Sequence, residues 1–457
     1  MVCPAQPRER VTEMGENKKL GGLLWFNVIL FGFIGQIAWA VENIYFNTFL
    51  FNKIGATHEK ISLMVSASAV TAVVTTLIMG ALSDKINRRK LFLSGGYVVW
   101  GLSVCVFAFI SRESVGKLFG LTETAAVVAA TVSVVIIMDC VMTFFGSTSN
   151  DAAFNAWVTD VTDVANRGTV ESVLALMSVF ATVIVSVVFG LLVDVAGYSA
   201  CFIGLGLLVT VCGVVGLFTV KDSLTGEKKQ ESYWKNLTYG FRPAVIKENR
   251  PLYISLAATA VFSTAVQVFM PYIFIYLQHY LNFSFDNLKI TPVAAVVALA
   301  AVGLLVTGMV MLGKMIDKLG KSRFAMLSVA LFVAGLICLF FAKRLGTFGL
   351  FAVLMFAGYG LLTIILNASI RDFTPDGMAG RFQGIRMIFM VLIPMVVGPK
   401  VGSLVISAFS DATYLNEYNE LVEIPVPHIY LAAAIIGVFV LIPVIFVRKD
   451  FKSVNFN

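Results

Sequence analysis

The chain has 457 residues, of which 58% are hydrophobic and 13% charged, with a formal net charge of +7. Soluble domains average about 25% charged residues, so the composition excludes an ordinary soluble fold and points to a polytopic, all-α membrane protein of about twelve helices. The charge would suggest nucleic acid in a soluble chain; here it reads as the cationic excess of cytoplasmic loops, and no nucleic-acid partner is expected. The six cysteines stand apart, without disulfide or metal spacing, so neither a metal nor a cofactor is expected.

Residues 1–19 are polar and mixed in charge, which argues against a cleavable signal peptide. The first apolar run, about Leu20–Phe49, contains Gln36 and Glu42 and would itself direct insertion. Spans 2 and 3 are expected at Ile61–Leu82 and Leu91–Ile110. A polar loop, Ser111–Glu123, precedes span 4, which starts near Thr124, carries Asp139 and continues through the polar stretch Ser147–Asn155. Span 5 reads as Val170–Val193, with a turn at Gly197-Tyr198 into span 6, Ala200–Val220. The longest polar segment, Lys221–Arg250, reads as a linker between an N-terminal bundle (residues 1–220) and a C-terminal bundle (residues 250–457). Spans 7 to 12 are expected at Pro251–Leu281, Pro292–Leu312, Phe324–Ala342, Phe348–Ile370, Ile385–Phe409 and Ile429–Val447. With the N-terminus in the cytoplasm, the loops starting at Asp84, Asp160, Lys221, Asp317 and Asp372 fall inside, as does the C-terminus with Arg448-Lys449. Most cations lie in that set, Lys343-Arg344 being the exception, and the last outer loop, with Asp411, Glu417, Glu420 and Glu423, is acidic.

Two internal repeats organise the chain. Gly80-Ala-Leu-Ser-Asp84, followed by Lys85, Arg88, Arg89 and Lys90, returns as Gly313-Lys-Met-Ile-Asp317 followed by Lys318, Lys321 and Arg323. Asn155-Ala-Trp-Val-Thr-Asp160 returns as Asn367-Ala-Ser-Ile-Arg-Asp372, each copy followed by an arginine (Arg167, Arg381). Duplicated halves with a site near the midplane are a transporter architecture. The first pair resembles the signature loop of the major facilitator superfamily between its second and third helices, with its echo between the eighth and ninth; Asn87 stands where that loop usually has Gly. The resemblance implies twelve transmembrane helices in two pseudo-symmetric six-helix bundles. Asp151-Ala-Ala-Phe154, with Arg167 downstream, resembles the fourth-helix segment of the glycoside–pentoside–hexuronide:cation symporters, a family that includes melibiose and sucrose carriers. There the Asp serves sugar and cation binding, and an aromatic after the Phe stacks on the sugar; this chain has Asn155 at that place and Trp157 two residues on. Ala40-Val-Glu-Asn-Ile-Tyr45 is similar to the first helix of the sucrose/proton branch. Gln36, Ala72 and Thr76 stand where the sodium-binding acids of the melibiose type would be, so the resemblance implies protons rather than sodium as coupling ion.

A carboxylate at a helix centre costs about 2.5–3.5 kcal/mol on insertion scales, so intramembrane acids should face a cavity or a partner. Glu42, Asp139 and Asp151 are such acids in the first half; Asp139 reads equally as a hydrogen-bonder to Thr131, Ser133 or Thr143. The second half offers cations instead, Arg386 and Lys400, the latter also placed to snorkel outwards. Substrate or cation binding is therefore expected around Glu42, Asp151, Asn155, Gln36, Trp39, Arg386, Lys400, Gln267, Tyr272 and Asn367, with Asn27 and Tyr276 as further liners. His58, His279 and His428 sit at span ends and read as interfacial. Asp84, Arg88, Asp160, Arg167, Asp317, Asp372 and Arg381 read as a cytoplasmic latch between the halves. The expectation is a monomeric carrier of a prokaryotic inner membrane, multi-pass with both termini cytoplasmic, importing a sugar with a proton. The rival is a proton-coupled exporter of amphipathic molecules on the same fold. No His-Glu-x-x-His, Gly-x-Ser-x-Gly or phosphate-cradling loop is present, so an enzyme is not expected.

Overall fold

Apolar runs become helices because hydrocarbon offers no water to a backbone N–H or C=O, and a helix satisfies each within its own segment. The computed structural model describes residues 21–86, 88–162, 164–221, 239–283, 321–375 and 382–446, and these are helical apart from turns, loops and one small hairpin. Spans 1 to 4 are Gly22–Asn52, His58–Ile86, Leu91–Phe109 and Thr124–Val161. Val173–Thr219 contains spans 5 and 6, which meet at Gly197. The φ of 78° at Gly197 lies in the left-handed region, where a Cβ is strained, so glycine makes this break. Spans 7, 9, 10, 11 and 12 are Arg250–Tyr280, Lys321–Phe340, Leu345–Phe373, Gln383–Phe409 and His428–Phe446. The expected span 8, Pro292–Leu312, and most of the linker lie outside the described residues.

Spans 1 to 6 pack mainly among themselves, as do spans 7 and 9 to 12; span 2 meets span 11 across the boundary between the two groups. Lipid is as apolar as Leu, so packing in the bilayer depends on close van der Waals contact and small residues. Span 6 supplies Gly206 and Gly213 against span 3: a Cβ at Gly206 would lie 2.5 Å from Gly101 O, and one at Gly213 2.5 Å from Val98 N and 2.7 Å from Ser94 O. The outer faces carry bare large hydrophobics, among them Phe26, Leu63, Val74, Leu207, Val353 and Ile435, a surface suited to acyl chains rather than water.

Several departures from plain helices shape the interior. Glu42–Phe46 and Ser147–Phe154 are π-helical, as is Leu91–Gly95 beside them. Such wide turns shift side-chain register and are frequent at functional sites. The acidic segment after span 11 is not an open loop but an antiparallel hairpin, Thr413–Leu415 with Leu421–Glu423, in the register Thr413↔Glu423 and Leu415↔Leu421. Its tip is closed by Asn416, whose Oδ1 accepts from the N–H of Tyr418 (3.0 Å) and of Glu420 (2.9 Å), and by Asn419 at φ 58°.

Candidate functional site

The polar groups of the first half converge where its π-helical turns meet. Glu42 is buried; its Oε1 accepts from Ser68 Oγ of span 2 (2.7 Å) and from Thr143 Oγ1 of span 4 (3.1 Å). Ser68 and Thr143 are themselves 2.8 Å apart. Asp139, only 1% exposed, lies against the same Ser68 and within electrostatic reach of Glu42. Glu42 Oε2 and Asp139 Oδ1 are both buried without a hydrogen-bond partner. Asp151 is half-buried and accepts from Ser147 Oγ one turn earlier (2.9 Å). None of the three acids makes an ion pair among the described residues.

A second network borders the first. Asn150 Nδ2 donates to Tyr97 Oη (2.6 Å), Tyr97 donates to Phe31 O (2.7 Å), and Trp39 Nε1 donates to Asn150 Oδ1 (3.2 Å). Gly146 makes room for the Trp39 and Trp100 rings, whose centroids are 5.1 Å apart. Back-bonding satisfies the rest of the polar run, Thr148 to Phe144 O and Ser149 to Phe145 O at 2.7 Å each. Ser68, Thr143, Asn150 and Tyr97 were not singled out as site residues from the sequence. The signal available was a hydroxyl or amide in an apolar helix, which alone does not tell a site from local back-bonding.

The other sequence candidates are distributed more widely. Gln36 is half-buried on span 1, and Asn155 is exposed, donating to Asp151 O (3.0 Å). Trp157, the nearest aromatic to the sugar-stacking place, is buried and stacked on Phe154. Tyr272 is fully buried and donates to Pro399 O (2.9 Å) and His58 O (3.2 Å), so its hydroxyl ties backbones together. Asn27 pairs with Thr219, giving one bond (3.1 Å) and receiving one (2.6 Å), and so fastens span 1 to span 6. Tyr276 is buried in an aromatic cluster with Tyr280, Phe348 and Tyr430. Gln267 is half-buried with its Cβ against Gly398, Arg386 is half-buried at the start of span 11, and Asn367 and Lys400 are exposed.

Charged contacts between the halves gather on the face that carries the hairpin. Arg112, on the short helix Arg112–Phe119, is 7% exposed and grips Glu420 with both terminal nitrogens (2.9 and 2.7 Å). Its Nε donates to Ile54 O (2.9 Å), and its guanidinium lies 3.6 Å over the Tyr418 ring. Lys53 pairs with Glu417 (2.6 Å), and His58 bridges Glu423 (2.9 Å) and Ser403 (3.0 Å). Asn52 bonds Gln278 (3.1 Å) and His279 (2.9 Å). His58 and His279 are thus links between the halves rather than free interfacial groups. The Arg112 bond holds the Glu420 carboxyl below the usual carboxylate range.

On the opposite face, Asp160 is held by Arg89 (3.0 Å), which also donates to Ser83 (2.6 Å); the neighbouring Arg88 is exposed. Both partners of that pair belong to the first half. Asp372 is exposed at the end of span 10. Asp317 and Arg381 lie outside the described residues, as do the side chains of Asp84 and Arg167.

Two helical groups that meet along spans 2 and 11, with acids in one of them that make no ion pair among the described residues, fit a polytopic membrane carrier. The chain belongs to the Major Facilitator Superfamily, whose family model matches residues 25–312 and 287–457. It is similar in fold to a bacterial homologue of the human lysosomal transporter Spinster, solved inward-facing and unoccupied. That match has a TM-score of 0.68 at 12% identity, over 95% of this chain and 99% of that one. It is likewise similar to the nucleoside transporter NupG, with a TM-score of 0.66 at 12% identity over 92% of this chain and 99% of the other. At such identities the likeness concerns the fold alone. No curated protein is significantly similar to the chain. The twelve-helix, two-bundle architecture expected from the sequence is the fold of this family, and the chain is a membrane transporter.

Proposed function

We propose that the protein imports a sugar together with a proton by alternating access, the substrate binding between residues 1–220 and 250–457, joined by the linker 221–249. The observation that carries this reading is the set of buried or half-buried acids on spans 1 and 4, Glu42, Asp139 and Asp151, held by hydroxyls and by no ion pair among the described residues. An acid inside the bilayer without an ion-pair partner is costly to keep, and such residues mark ion pathways and proton relays in carriers. The sugar class rests on the resemblance of Asp151-Ala-Ala-Phe154 and Ala40–Tyr45 to the glycoside symporters. Gln36, Trp39 and Asn155 are the groups assigned to the sugar hydroxyls, Trp39 bonding Asn150 and Asn155 bonding Asp151 O in the form described. The distribution of basic loops supports an orientation with the hairpin face outside and both termini in the cytoplasm. With the halves fastened at that face, the form described is closed to the outside, as an inward-facing carrier is. The protein acts as a monomer in a prokaryotic inner membrane.

The test is uptake of a panel of labelled mono- and disaccharides into proteoliposomes, under a proton gradient and then a sodium gradient. Saturable, proton-stimulated uptake of one sugar is expected, and Glu42→Gln and Asp151→Asn should each lower uphill accumulation about tenfold or more, since a neutral amide carries no proton. Uphill uptake left intact in both variants removes the coupling assignment. Uptake of no sugar under either gradient transfers the proposal to export of amphipathic molecules.

A further inference from the structure

We infer that Glu42 and Asp139, which share the Ser68 hydroxyl, form one closed carboxyl pair that holds a single exchangeable proton, with Asp151 as a neighbouring carboxyl outside the pair. The inference deepens the proton coupling proposed above and rests on it. The two acids come from spans 1 and 4, and the shared hydroxyl from span 2, so the pair exists only when three helices are assembled. Ser68 Oγ reaches Glu42 Oε1 at 2.7 Å and lies against Asp139, and Thr143 Oγ1 reaches the same Glu42 oxygen at 3.1 Å. Glu42 Oε2 and Asp139 Oδ1 remain without a partner, in residues 8% and 1% exposed. A buried oxygen without a donor is costly, and one added proton would supply the missing donor.

Electrostatics points to one proton rather than none. Two carboxylates sharing one buried site repel each other when both are charged, and a single proton removes that repulsion. Among the described residues the titratable groups that face the pair are Asp151 and Cys140, with Tyr45 on the turn that Glu42 opens and Tyr97 facing Asp151. Among the described residues no Lys, Arg or His is in electrostatic contact with either acid. No group of three or more His, Cys, Asp or Glu with metal-site geometry occurs among the described residues, which argues against a divalent ion here. The pair is also wired to the moving parts. Ser68 sits on span 2, the helix that meets span 11 of the other half, and two residues earlier Ser66 Oγ touches Met395 O across that seam (3.5 Å). Asp151 bonds Ser147 on its own helix instead, which leaves it available to substrate.

The experiment is infrared difference spectroscopy of the full-length protein in lipid, titrated with pH alone, with Asp151→Asn carried in every sample, including the one called wild type at the pair, so that the third carboxyl adds no band. The wild type should show a protonated-carboxyl C=O band that titrates as one proton. Glu42→Gln and Asp139→Asn should each move its midpoint by about one pH unit or more, because each removes the partner charge, and the double variant should lack it. Asp139→Glu, which keeps the carboxyl, should retain a titrating band and guards against a folding failure. An Asp139→Asn titration that superimposes on the wild type overturns the pair, as does a band that survives in the double variant. Loss of the wild-type band on adding sodium overturns the proton as occupant. The readout needs no substrate, so the pair can stand while sugar uptake fails, and the reverse.

Discussion

Arg112→Ala is expected to open the hairpin face. Arg112 is the one cation of the clasp that is itself buried, and it engages four groups: both Glu420 oxygens, Ile54 O and the Tyr418 ring. Bidentate guanidinium–carboxylate bonds are strong and directional, and hydrogen bonds to charged groups contribute about 1.5–3 kcal/mol. Lys53–Glu417, at 42% and 53% exposed, should contribute less than about 1 kcal/mol. Conformers of a carrier differ by a few kcal/mol, so losing Arg112 should shift the closed-to-open ratio about tenfold or more, and Lys53→Ala much less. Spin labels at the exposed positions Lys60 and Leu415 would report this as a second, longer distance population. An unchanged distance distribution in Arg112→Ala would show that the clasp does not set the equilibrium.

The same contact has a defined pH dependence. The Glu420 carboxyl is held below its ordinary value by the Arg112 bond first, with Asn416 adding to it. A group lowered in the closed state stabilises that state fully above its ordinary value, and the stabilisation is lost as pH falls through the lowered value. Ordinary glutamate titrates near about 4.3, so this pair should hold unchanged through neutrality and fail only in stronger acid. The spin-label distances should therefore be flat near neutral pH for this contact; opening on mild acidification that persisted in Glu420→Gln would assign the effect to another group.

Gly213→Val should cost the folded protein itself. Its Cβ would fall 2.5 Å from Val98 N and 2.7 Å from Ser94 O, both backbone atoms of span 3. Backbone cannot swing aside as a side chain can, so spans 3 and 6 must separate along the whole Gly206–Gly213 stripe. Overpacking costs about 1–3 kcal/mol, occasionally more, against a total stability of about 5–15 kcal/mol. The variant should show a lower unfolding temperature in detergent and less monodisperse protein. Gly204→Ala, on the same helix with nothing within 4 Å of the added Cβ, should behave as wild type. Equal stability of the two variants would mean that close helix contact is not what the stripe supplies.

How much was legible depends on the range of the interaction involved. Helix positions were, because hydropathy is local: expected spans 2, 3 and 11 lie within a few residues of His58–Ile86, Leu91–Phe109 and Gln383–Phe409. The break at Gly197 was legible for the same reason. Glu42, Asp139 and Asp151 could be named as candidates because an acid in an apolar run is conspicuous by itself. Their partners could not: of the hydroxyls expected around Asp139, Thr131 and Ser133 bond their own helix backbone and Thr143 bonds Glu42, while Asp139 lies against Ser68. Ser68 lies 26 residues from Glu42 and Thr143 lies 101, and nothing in one dimension marks them as neighbours. The charged clasp was missed in kind: the acidic loop was seen, but Arg112 and Glu420 are 308 residues apart.

The sequence by itself determined the membrane character, the number and order of spans, the duplicated plan and the buried acids, since each follows from the free energy of single residues in hydrocarbon. The tertiary structure decided which acids share a site, that Tyr272 and Asn27 fasten helices together, that Arg89 rather than Arg88 contacts Asp160, and that the described form is held shut at the hairpin face. Those are pairwise energies between distant segments. They exist only once helix packing has set the geometry, and packing here turns on ångström-scale contacts that no local pattern encodes.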